Sequence, residues 1–151
     1  MCGCEIDDAV AKLRASFFSS LNAIPHGKNI RVLLCDDVQA FRALIRYTLE
    51  DEDDIEIVGE AADGNEGVRQ VTDLQPDVVL LDLSMPECDG LEAIPAMRQG
   101  SPNSQIVALS GFTAERMSEP VIASGARAYL EKGVELSTIA ETIRTVFREA
   151  A

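Results

Sequence analysis

Tryptophan is absent from these 151 residues, and aromatic residues make up only 5% of them. That leaves little with which to stack nucleobases or sugars. Positive charge is scarce as well. Thirteen Lys and Arg stand against 26 Asp and Glu, a formal charge of −13, which argues against direct binding to DNA, RNA or an anionic membrane and suits cations and basic protein surfaces. The single histidine, His26, lies in Pro25-His26-Gly27 and reads as a loop residue. Cys2, Cys4, Cys35 and Cys88 make no C-x-x-C pair and no His-bearing zinc pattern, so nothing demands a metal-thiolate site or an oxidising compartment. Cys35, inside an apolar run, reads as a small buried filler. Glu5, Asp7 and Asp8 stand where a secretory signal would be basic. No run approaches the roughly 18 apolar residues of a membrane span. The expectation is a cytoplasmic protein with neither a membrane nor a nucleic acid as direct partner.

What is present is alternation. Residues 5–22 place Ile6, Val10, Leu13, Phe17 and Leu21 three or four apart, the spacing of an amphipathic helix. We divide the chain into residues 1–29, this helix and a linker, and residues 30–151, a single domain. From Ile30 strands and helices take turns. Strands are expected at Ile30–Cys35, Ile55–Glu60 (period two, an edge strand), Val78–Leu81, Gln105–Leu109 and Ala126–Leu130. Helices are expected at Val38–Leu49, after an Asp63 cap, after an Asp89 cap with a kink at Pro95, and at Leu136–Phe147. Within 112–124 the sequence predicts a short helix capped by Ser118 with Pro120 in its first turn. Five strands separated by helices make a doubly wound α/β sheet with right-handed crossovers.

Val78-Val79-Leu80-Leu81 runs straight into Asp82, and Met85-Pro86 then breaks the run. Such a run is a strand buried on both faces, and open parallel sheets place their chemistry at the carboxyl ends of strands. The first, fourth and fifth strands end in Asp36-Asp37, Ser110 and Lys132. Singly, each has a bland reading: a helix cap for Asp36, a turn for Ser110, a solvated amine for Lys132, half-buried core for Tyr129. If the strand order is 2-1-3-4-5, however, three carboxylates, a hydroxyl and an ammonium meet at one edge. Three crowded carboxylates resist ionising without a cation, and hard oxygen ligands with room for water favour Mg2+. Asp82 is then placed to attack phosphorus, with Ser110 and Lys132 contacting phosphoryl oxygens.

Asp36-Asp37, Asp82 with Met85-Pro86 and Gly90, Ser110, Tyr129 and Lys132 resemble the receiver domain of bacterial two-component response regulators, over about residues 30–148. Gly125 to Lys132 is similar to the subfamily whose receivers usually precede a helix-turn-helix domain. The resemblance implies the flavodoxin-like order 2-1-3-4-5 with five helices, to which the first helix is an addition. It implies that Asp82 accepts a phosphoryl group from a sensor histidine kinase. It implies Mg2+ held by Asp37, Asp82 and the Ser84 carbonyl, with Asp36 acting mostly through water. Ser110 and Tyr129 become a switch pair that alters a surface for a downstream effector or a second copy of the chain. Gly111 and Gly133 depart from the commoner small residue and proline at those places. Pro120 is atypical of the fourth helix. On this reading the chain catalyses only its own phosphorylation and dephosphorylation. The alternatives are a non-phosphorylated scaffold of the same fold and an aspartyl-phosphate hydrolase, the latter disfavoured because Ser84 stands where such enzymes have a second Asp.

Overall fold

The computed structural model describes residues 28–85 and 90–150. The expected helix at 5–22, His26, Cys2, Cys4, Cys88 and the Asp89 cap lie outside the described residues. β1 (Ile30–Cys35), β2 (Ile55–Ala61), β3 (Val78–Asp82), β4 (Gln105–Ser110) and β5 (Ala128–Glu131) form one parallel sheet in the order 2-1-3-4-5. Between and after them run α1 (Gln39–Glu50), α2 (Gly64–Leu74), α3 (Gly90–Gly100), α4 (Ala114–Ala123) and α5 (Leu136–Ala150). None of these helices is long and apolar enough to cross a membrane.

Side chains alternate across the pleat, so each central strand feeds two cores. Ile30, Val32, Leu34, Val78 and Leu80 pack with Ile45 and Leu49 of α1 and with Ile139 and Ile143 of α5. Leu33, Cys35, Val79 and Leu81 pack with Val71 of α2, Ile94 and Met97 of α3 and Val121 of α4. All five residues of β3 are buried, at roughly 1.5–3 kcal/mol of transfer free energy for each aliphatic side chain. β2 at the edge alternates only partly.

Register brings the functional ends level. Cys35 pairs with Leu81, Asp82 with Leu109 and Ser110 with Glu131. The Lys132 amide extends the last ladder by donating to the Ser110 carbonyl (2.8 Å).

α3 runs through Pro95, which faces solvent, where a missing backbone bond costs least. The 112–124 region is corrected. α4 begins at Ala114 after a Thr113 cap position, and Pro120 lies in its interior, not in its first turn. The helix start is held from outside, by the Ala114 amide donating to Glu131 Oε1 (2.7 Å). Met117 and Val121, four apart, pack into the same core and carry the helix past the proline. Neither tie is visible in a local pattern.

Candidate functional site

β1 hands over to α1 through Asp36-Asp37. Asp36 is 5% exposed. Its Oδ1 accepts from the Val38 amide (2.8 Å), so it does serve the local turn, while its Oδ2 lies 2.9 Å from Lys132 Nζ. Its backbone carbonyl accepts from Arg42 Nη1 (2.6 Å), and Arg42 in turn ion-pairs with Glu60 (3.3 Å). Asp82, 2% exposed at the tip of β3, accepts from the Ser84 amide (3.0 Å) and lies 3.3 Å from Lys132 Nζ. Asp37 is exposed, yet one carboxylate oxygen from each of Asp36, Asp37 and Asp82 lies within 4.8 Å of the others. Lys132 is therefore no solvated lysine. It bridges two buried acids, and the Phe41 ring stands 4.6 Å from its nitrogen, a distance at which the ring face attracts the cation.

Burial pushes the Asp82 carboxyl above its ordinary range, and the charge of Asp36 adds to the rise. The Ser84 amide and Lys132 work against it. For Lys132, burial acts to discharge the amine, but the hydrogen bond to Asp36 and the charges of both acids win and hold it above its usual value. Three acids against one ammonium leave an excess of negative charge. A divalent cation with oxygen preference fits this donor set, because the carboxylates converge without a soft or imidazole ligand among them. Asp36, Asp37 and Asp82 would hold it. Ser84, the fourth expected contributor, is tied to the site through its amide on Asp82.

Ser110 is fully buried at the tip of β4, and its Oγ accepts from the Phe112 amide (3.2 Å). The Tyr129 hydroxyl, from β5, donates to the Phe112 carbonyl (2.7 Å), and its ring is partly buried against the core. One peptide segment thus links the two residues expected to form a switch. Phe112 itself is 50% exposed. A Cβ at Gly111 would meet no atom within 4 Å, so the approach beside Ser110 is open. Cys35 is buried and free, and burial pushes its thiol up, as an inert filler requires.

Sequence reasoning missed Phe41, Arg42 and Phe112 as parts of this site. Phe41 falls within the expected helix Val38–Leu49, where nothing sets it apart from any other apolar helix position. Arg42 acts through its guanidinium on the Asp36 carbonyl and Phe112 through its own backbone atoms, and no spacing rule marks them.

The family model for the response regulator receiver domain matches residues 32–144. Among curated proteins the chain is 43% identical over 115 residues to transcriptional regulatory protein LiaR of Bacillus subtilis, covering 76% of this chain and 54% of that protein. It is 36% identical over 118 residues to response regulator GacA of Pseudomonas viridiflava, covering 78% and 55%. The chain spans about half the length of the curated relatives it matches. Among solved structures, the signal receiver domain of response regulator NarL from Mycobacterium tuberculosis superimposes with a TM-score of 0.76 at 26% identity, over 80% of this chain and 98% of that one. The response regulator domain of CheB from Thermotoga maritima does so with a TM-score of 0.75 at 26% identity, over 80% and 98%. The family model covers most of the chain, and this chain belongs to the response regulator receiver domain family.

Proposed function

We propose that this chain is a phosphorylation-activated switch in which Asp82 accepts a phosphoryl group from a sensor histidine kinase. The observation that carries this is Asp82 itself: a carboxylate 2% exposed, at the tip of a fully buried strand, facing Lys132 at 3.3 Å and clustered with Asp36 and Asp37. Burying a carboxylate costs several kcal/mol of desolvation even when it is paired, and Lys132 and the Ser84 amide offset that cost here.

In the transfer, an Asp82 oxygen forms a bond to phosphorus while the bond from phosphorus to the donor's imidazole nitrogen breaks, and the electron pair leaves with the imidazole. Asp36, Asp37, Asp82 and the Ser84 carbonyl would hold Mg2+, which when bound would supply charge compensation to the phosphoryl group. Lys132 exchanges part of its contact with Asp82 for a phosphoryl oxygen. Ser110 turns its hydroxyl toward another, giving up the Phe112 amide. That frees the Phe112 segment, and Tyr129, bonded to the same segment, moves with it. The surface formed by the β4–α4 connection and β5 is the bistable element, read by a downstream effector or a second copy of the chain. No substrate other than the chain itself is turned over.

Radiolabelled acetyl phosphate with Mg2+ provides the test. The wild type takes up label that alkali and hydroxylamine release, as an acyl phosphate must. Asp82→Asn stays unlabelled while keeping its cooperative unfolding. A folded Asp82→Asn variant that labels as well as the wild type refutes the assignment.

A further inference from the structure

We infer that Arg42 positions the acid pair by holding the Asp36–Asp37 peptide through the Asp36 carbonyl, an inference that rests on the proposed divalent-cation site. Of the three acids, Asp36 and Asp82 have their carboxylates tied down by the Val38 amide, the Ser84 amide and Lys132. Asp37 is exposed, and among the described residues no hydrogen bond or ion pair holds its side chain. Its place is set by the backbone. The peptide joining Asp36 to Asp37 is planar, so the Asp36 carbonyl and the Asp37 Cα turn together. The Asp36 amide still belongs to the sheet edge and donates to the Ala61 carbonyl (3.0 Å). Its carbonyl lies past the end of β1, and there Arg42 Nη1 donates to it at 2.6 Å, the short, charge-assisted bond that a guanidinium makes.

Arg42 is itself held from the sheet. Its side chain is only 16% exposed, and its Nε stands 3.3 Å from Glu60 Oε1. That Nε is buried and makes no hydrogen bond, so charge and not alignment holds the pair together. Glu60 lies in β2 opposite Leu34 of β1, and its backbone carbonyl accepts from Gln70 Nε2 of α2 (2.7 Å). Its carboxylate also pairs with Arg46, one helical turn beyond Arg42. Arg46 makes the ordinary exposed pair of a helix surface as well, with Glu50 four residues on. Arg42 does not. It leaves a buried donor unbonded, which is costly, and directs its remaining reach at the turn that carries two of the acids. Glu60 offsets the Arg42 charge, so the carbonyl is held with little net positive charge added beside the cation site.

The test titrates Mg2+ alone into the 15N-labelled full chain and follows the Asp82 and Leu83 amides by NMR, which reports the fold and the affinity in one spectrum. Charge and position predict opposite signs. Removing a positive charge near the site tightens cation binding if Arg42 acts through charge alone. Partners that orient a metal ligand are typically worth about 10–100-fold in affinity, so Arg42→Met is expected to weaken Mg2+ binding about tenfold. Arg42→Lys keeps the charge but lacks the fork of donors, and it weakens binding in the same direction. Equal or tighter Mg2+ binding by folded Arg42→Met overturns the inference. Should Arg42→Met fail to give a dispersed spectrum, Arg42→Lys decides, and wild-type affinity in that variant overturns it. A folded wild type that shows no Mg2+-dependent shifts overturns the cation site and the inference with it, whereas wild-type binding that the folded variants share overturns the role of Arg42 alone.

Discussion

Replacing Lys132 with methionine keeps the length and packing of the side chain and removes its charge. In the wild type that charge stands 2.9 Å from Asp36 and 3.3 Å from Asp82. At an effective dielectric constant near 20, each pair attracts by about 5 kcal/mol before desolvation is counted. Breaking a buried ion pair costs about 3–5 kcal/mol net. Lys132 keeps 23% of its side chain exposed, so solvent screens part of the loss and about 2–3 kcal/mol is expected. For a domain of this size that lowers the melting temperature by about 10 °C. The assay is urea unfolding of wild type and variant with chelator near neutral pH, then across acid pH, then with millimolar Mg2+. The sign follows from linkage. Lys132 has a folded pKa raised above its unfolded value, so its contribution is complete below about 10.4 and is lost as pH rises through the folded value. The Asp82 folded pKa is already raised and rises further without the ammonium. The cost of keeping it ionised is full above that folded pKa and disappears as pH falls below its unfolded value of about 3.9. The gap between the two proteins therefore narrows in acid, and it narrows with Mg2+. Equal stability in chelator, or a gap that widens as pH falls, would refute this account of the site.

Arg144 of α5 donates to both Asp54 oxygens (2.7 and 2.8 Å) and to Glu52, clamping the last helix to the turn between α1 and β2. Arg144→Met should cost about 1–2 kcal/mol in chemical denaturation, between the worth of exposed and buried pairs. The hydrogen bond from Arg144, ahead of the opposing effect of burial, holds the Asp54 carboxyl below its ordinary range. That contribution is present above about 3.9, the unfolded value, and is lost as pH falls through the folded pKa, so wild type and variant converge in strong acid. Gly125 has φ +118°, and a Cβ there would lie 2.5 Å from Arg98 Cδ. Gly125→Ala should therefore destabilise by about 1–3 kcal/mol, and an unchanged melting temperature would show that neither strain nor contact matters there.

The sheet was legible because two-sided burial writes itself as Val78-Val79-Leu80-Leu81 and half-burial as Ile55-Glu56-Ile57. The acids were legible because each closes an apolar run, and strand order converts separate endings into one edge. α4 was not, since its start depends on Glu131, seventeen residues away, and its middle on Met117 and Val121 outweighing a solvent-facing proline. In the turn after α3, Ser101 and Ser104 are buried and bonded to each other, which the sequence does not disclose. Hydroxyls in a loop look alike until a partner from elsewhere, here Gln75 and the Pro76 carbonyl, closes over them. Phe112 was illegible for the same reason: its contribution is backbone geometry.

The central claim is that Asp82 is a phosphoryl acceptor whose use requires a divalent cation. Intact mass after incubation with acetyl phosphate tests it most directly, with Mg2+ and with chelator. The account predicts a gain equal to one phosphoryl group with Mg2+, lost with chelator and absent in Asp82→Asn. A folded wild-type chain that gains no mass with ample Mg2+ contradicts it, and would mark the buried acid as part of a scaffold read in its unmodified form.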